Sequence, residues 1–174
     1  MKLLKALFAL LLGTLVLLMM GSFLLSPDYA VSRSTVVNAP ADKVFPLVNS
    51  SQGWAQWGVW YRRDPKMQIT PGSQTEGPGA SWSWKSESQG NGAMKLTDVV
   101  ASQKVAYELA IEGFDPSQGS IELQAEGDAT RVTWTMTGRM SSYTGRWFAL
   151  FMDKLVGPDF EGGLANLKQL AEKK

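Results

Sequence analysis

The chain has 174 residues, a net charge of +1, and neither cysteine nor histidine. The first absence excludes disulfides, thiolate nucleophiles and thiolate metal sites; the second removes the commonest metal ligand and the usual general base near neutral pH. Setting aside Lys2 and Lys5 in the N-terminal segment turns the charge balance slightly negative. The basic surplus on which nucleic-acid binding depends is therefore missing.

Residues 6–25, ALFALLLGTLVLLMMGSFLL, carry no charge. Twenty residues at helical rise reach about 30 Å, the thickness of a bilayer's hydrocarbon core. Pro27 and Asp28 end the run. It is longer than the apolar region of a secretory signal, and no Ala-x-Ala follows it. The reading is an uncleaved transmembrane anchor over residues 1–26, followed by one domain over residues 27–174. Lys2 and Lys5 precede the anchor, while its far flank is nearly neutral. The positive-inside rule puts the N-terminus in the cytoplasm and the domain outside it, in the periplasm if the cell is Gram-negative.

VSRSTVV, residues 31–37, reads as a strand. Asn38 then serves as a helix cap, with Pro40 in the first turn of a helix that Pro46 keeps short. A second short helix is predicted over residues 51–57. From residue 66 the hydrophobic period becomes two. MQIT, ASWSWKS, AMKLTDVV, KVAYELAIE, SIELQA and TRVTWTMTG are separated by turn sequences, among them Gly90–Asn91–Gly92 and Glu126–Gly127–Asp128. PGSQTEGPGA, residues 71–80, is a mobile loop on this reading. The strands form an antiparallel meander with one apolar and one polar face, which needs a cover. One helix over residues 143–172, kinked at Gly157–Pro158, supplies it through Trp147, Phe148, Phe151, Met152, Leu155, Phe160, Leu164 and Leu167. The fold class is α+β, a curved antiparallel sheet around a long C-terminal helix in the helix-grip layout.

VNAPADKVFPLVNSSQGWAQWGVW, GASWSWKS, TRVTWTMTG and GPDFEGGLANLKQL resemble signatures of the START-like superfamily, also called SRPBCC or polyketide cyclase. The likeness is to its membrane-anchored bacterial branch and covers the whole chain. It implies a birch-pollen-allergen-like helix-grip fold, with a cavity between sheet and helix that takes lipids, sterols, polyketides or other apolar molecules. It supplies no catalytic motif to carry over.

The candidate cavity wall comprises Trp82, Trp84, Leu96, Tyr107, Leu109, Trp134 and Met136 on the sheet, facing Trp147 and Phe151 on the helix. Trp57, Trp60 and Tyr61, from the aromatic run WAQWGVWYRRDP, are the candidate entrance, and Trp54 and Trp57 cap the open end of the core. Arg62–Arg63 is either a solvated charge pair or an attractor for an anionic headgroup. Three readings of function remain open. The first is a membrane-tethered, non-catalytic domain binding an apolar or amphipathic, lipid-like small molecule. The second is an envelope protein-interaction module. The third is a cyclase or hydratase, for which Asp98 shares the parity of Met94 and Leu96, and Tyr107 is a proton donor. No catalytic set, metal site or cofactor is predicted, and the sequence leaves the oligomeric state open.

Overall fold

The structure, a computed structural model, describes residues 1–173. An apolar helix, α1 (Lys2–Ser22), comes first and is long and apolar enough to cross a membrane. Strand β1 (Asp28–Val37) follows, then three short helices: α2 (Ala41–Val48), α3 (Ser51–Trp57) and α4 (Val59–Arg63). Six strands then run in sequence: β2 (Gln68–Pro71), β3 (Ser81–Lys85), β4 (Gly92–Val100), β5 (Lys104–Ile111), β6 (Ser117–Glu126) and β7 (Ala129–Arg139). The chain ends in α5 (Tyr143–Ala149) and α6 (Met152–Ala171).

All seven strands form one antiparallel sheet in the order β1-β7-β6-β5-β4-β3-β2. The period-two pattern sets the faces: Val105, Tyr107, Ile121, Leu123, Val132, Trp134 and Met136 are buried beneath α6. The strand before the short helices returns to pair with the last strand, Asp28 opposite Arg139 and Val37 opposite Thr130. At the other edge β2 is four residues long and ends in Pro71. Shortness and proline both limit pairing with another chain.

Four sequence expectations change. The C-terminal helix divides at Leu150–Phe151 and runs unbroken through Gly157–Pro158. Pro158 is tolerated because it lies on the exposed side of α6 with Lys154, where water can take the carbonyl its missing N–H leaves unpaired. The cap of α2 is Pro40, while the Asn38 N–H donates to the Glu172 carboxylate. The residue 71–80 loop is tied down: Ser51 N–H donates to Thr75 O, Gly77 N–H to Asn49 O, and Gly79 N–H to Leu96 O. Finally, a register shift between Leu96 and Asp98 reverses the side-chain parity of β4. Val99, not Asp98, then follows Leu96 inward, and Asp98 is exposed on the outer face.

Helix α6 is fastened to β1 at both ends of its length. Arg33 has the inward parity of Val31, and its guanidinium lies against Gly157. It donates to Asp153 at 2.7 and 3.1 Å and to Glu161 at 2.7 Å. Farther along, Lys168 Nζ donates to Val36 O at 2.7 Å.

Candidate functional site

The short helices close one end of the space between sheet and α6. Ser50 caps α3 by accepting from Gly53 N–H, and this start directs Trp54 and Trp57 inward. Their indole N–H groups donate to Val48 O and Leu47 O, both at 2.8 Å. Two large rings are thereby buried without an orphaned donor. Trp134 is the hub: it stacks on Phe160 at 3.7 Å and meets Trp54, Trp57 and Trp60 edge-on at 5.1–6.0 Å. Beyond it Leu96, Val105 and Ile121 are fully buried with Leu164 and Leu167 of α6. This end is solid core.

The other end is open. A cavity of about 480 Å³ lies between the sheet and the N-terminal half of α6. Its floor is Trp54, Trp134 and Phe160; its sheet wall includes Trp84, Met94, Tyr107, Leu109, Ile111 and Met136. Met152, Val156 and Leu155 of α6 lie opposite, Trp60 and Tyr61 of α4 flank one side, and Tyr29 and Ser117 the other. Phe114, Phe148 and Leu155 line the cavity and are nevertheless 63, 58 and 57% exposed, which makes them its rim.

The hydroxyl groups in this wall already have partners. Tyr107 OH accepts the Trp134 indole N–H at 2.7 Å, Tyr61 OH accepts that of Trp82 at 2.9 Å, and Tyr29 OH pairs with Ser117 Oγ at 2.7 Å. Burial pushes the Tyr107 hydroxyl well above the usual tyrosine range, against the opposing pull of the Trp134 N–H. It raises Tyr61 in the same way. Both therefore stay protonated at neutral pH. The Asp115 carboxyl, at the cavity edge, is held below the usual range by the Ser141 N–H, which donates to it at 2.9 Å.

Of the residues proposed from sequence, Trp84, Tyr107, Leu109, Trp134, Met136, Trp60 and Tyr61 come together around this cavity. Trp57 is not at an entrance but wholly buried, because α3 turns it toward Trp134. Trp82 and Leu96 belong to the packed core. Trp147 faces away from the sheet: its indole lies on Gly21 of α1 and donates to Leu18 O at 3.2 Å. Phe151, at the break between α5 and α6, is 48% exposed. Arg62 and Arg63 are both exposed and also engaged: Arg62 donates to Asn166 Oδ1 at 2.8 Å and Arg63 is ion-paired with Asp159, which fastens α4 to α6. Sequence reading missed Tyr29, Phe114, Phe148, Met152 and Phe160 as wall residues. The helical spacing places Phe148, Met152 and Phe160 on the face that covers the sheet, but the sequence reading takes Trp147 and Phe151 from that face for the cavity wall.

Residues 29–172 match the family model described as polyketide cyclase / dehydrase and lipid transport. No curated protein matches the chain. Among solved structures, the chain is similar to protein CV1439 from Chromobacterium violaceum, with 13% identity, a TM-score of 0.62, and coverage of 83% of this chain and 98% of that one. A protein from Bacillus halodurans, BH1534, gives 19% identity and a TM-score of 0.61 over 82% and 96% of the two chains. Ara h 8.0201, which has the birch-pollen-allergen-like fold, gives 12% and 0.59 over 83% and 97%.

Proposed function

We propose that this chain, which belongs to the polyketide cyclase / dehydrase and lipid transport family, is a membrane-tethered domain that binds one apolar or amphipathic molecule without transforming it. The observation that carries this reading is the cavity of about 480 Å³, with aromatic and aliphatic walls. Small-molecule sites span roughly 300–1,000 Å³ and are lined in this way. Polar groups are few: Tyr29, Ser117 and Arg139 supply them on one side, and Tyr61 and Gln89 elsewhere in the lining, which suits a ligand that is mostly apolar. Binding is favoured over catalysis because the Tyr61 and Tyr107 hydroxyls hold their protons and Asp115 holds its charge. The carboxylate considered for acid–base chemistry, Asp98, is on the outer face. Helix α1 is the tether, with Lys2 and Lys5 on the cytoplasmic side and the domain beyond the membrane.

The test is native mass spectrometry of the full chain purified in detergent from its own host, with thermal melting alongside. A co-purifying apolar ligand is expected, and adding it back should raise the melting temperature by mass action. Leu109→Trp, which fills the cavity, should abolish both effects. Ala106→Trp, on the opposite face of β5, should leave them intact. Equal binding by both variants would overturn the site. The absence of any ligand or thermal shift would leave the protein-interaction reading in its place.

A further inference from the structure

The apolar helix and the cavity mouth meet through α5. Trp147 donates to Leu18 O, Arg146 Nη1 donates to Ser22 O at 3.3 Å, and Phe23 packs on Tyr143 with ring centroids 5.2 Å apart. Leu18 lies inside the charge-free run, seven residues before Leu25. At helical rise that is about 10 Å from the end of the run. If α1 spans a bilayer, α5 lies against the last turns of the spanning helix, on the side from which the domain emerges. The next residue is Phe148, on the rim of the cavity.

The rim is also the most apolar exposed surface of the domain outside α1 and its end. Phe114, Phe148 and Leu155 are each more than half exposed around the opening, with Tyr143, Leu150 and Phe151 beside them at 48–52%. Such contiguous apolar exposure marks a docking surface. Two occupants suit it chemically, a bilayer and a second copy of the chain. The tie between α5 and α1 favours the bilayer, because it holds the rim next to the helix that enters the membrane.

We infer that the cavity mouth faces the membrane from which α1 emerges, with Phe114, Phe148 and Leu155 in the lipid headgroup region, so that the ligand passes between leaflet and cavity without crossing water. This rests on the membrane tether proposed above but not on the presence of a ligand. The opposite end of the sheet, around the β6–β7 turn, points away from the bilayer. Gln124 marks it, seven residues along β6 from Ser117, about 23 Å at strand rise.

The cysteine-free sequence makes the test direct. Single variants Leu15→Cys, Phe148→Cys, Leu155→Cys and Gln124→Cys of the full chain carry an environment-sensitive fluorophore in vesicles of phosphatidylcholine and phosphatidylglycerol. Nitroxide-labelled lipid is the quencher, and each labelled variant is kept only if its melting temperature matches the parent. Labels at 15, 148 and 155 should be quenched several-fold more than the label at 124. Quenching at 15 without quenching at 148 and 155 would overturn the orientation while leaving the tether. No quenching at 15 would overturn the tether and the orientation together. A disulfide-linked dimer of Phe148→Cys under mild oxidation, with its label protected from lipid, would replace the bilayer by a second copy and also overturn the inference.

Discussion

The two halves of α6 face the same apolar sheet and end in opposite situations. Toward the C-terminus Leu164, Leu167 and Ala171 are buried against Val44, Val48 and Trp57 with the space filled. Toward the N-terminus Met152, Leu155 and Val156 look across a cavity. Phe160, stacked on Trp134, is the boundary. Hydrophobic periodicity is similar in both halves, so periodicity does not decide which becomes core. The deciding difference is the plug. Helices α2 and α3 press Trp54 and Trp57 into one end, whereas α5, the element available at the other end, is turned away onto α1.

The comparison breaks most readily at its boundary. Trp134→Ala removes the Phe160 stack and three edge contacts and should destabilise by about 3–5 kcal/mol. Leu155→Ala, on the rim, should change stability by less than about 1 kcal/mol. Similar losses for the two in denaturant unfolding would mean that the halves do not differ.

Tyr107→Phe probes the same boundary with a smaller change. It leaves the Trp134 N–H buried without a partner, at about 1–3 kcal/mol. Its signature is also in pH. The folded-state pKa of Tyr107 is raised by burial, so its stabilising contribution is complete below the unfolded value of about 10 and is lost as pH rises above it. The melting temperature of the parent should fall more steeply above about pH 10 than that of Tyr107→Phe. Parallel alkaline profiles would show that the cavity floor is wet.

Neighbouring glycines of α6 give the smallest and most local test. A Cβ at Gly163 would sit 2.9 Å from Trp134 Cζ3 and 3.2 Å from Trp57 Cζ3, both in rigid buried rings. Gly163→Ala should lose about 1 kcal/mol net, since overpacking exceeds the gain in helix propensity. At Gly162 the nearest atom is Val59 Cγ1 at 3.1 Å, on a short helix with room to yield. Gly162→Ala should be neutral or stabilising by up to about 1 kcal/mol. Thermal melts with the same sign at both positions would show that packing there is looser than drawn.

Much of the fold could be read from residues. Alternation in KVAYELAIE and TRVTWTMTG gave β5 and β7 and their inward faces, and the uncharged run gave α1. Gly163 in α6 has a packing reason, a close approach to the rings of Trp134 and Trp57. What could not be read depended on distant partners. The β4 bulge that turns Asp98 outward is a matter of pairing with β5 and has no signal in LTDVV itself. Trp147 has the helical spacing of a core residue, but its partner is α1, more than a hundred residues earlier. Nothing in VSRSTVV marks Arg33 as the partner of Asp153 and Glu161, more than a hundred residues later. Local periodicity reports that a side chain is apolar and on which stripe it lies, not which neighbour will cover it.

The pairing of β1 with β7 also sets a constraint in time. Asp28 and Arg139 are 111 residues apart, so the first strand of the domain has no partner until the last has been made. At ordinary synthesis rates this interval is on the order of ten seconds. Such high contact order predicts slow folding as well, because the β1–β7 pairing forms only after the intervening chain has been made. Helix α1, formed from local hydrogen bonds, can become helical long before the domain that follows it. During that interval the β-branched edge VSRSTVV is without its partner strand.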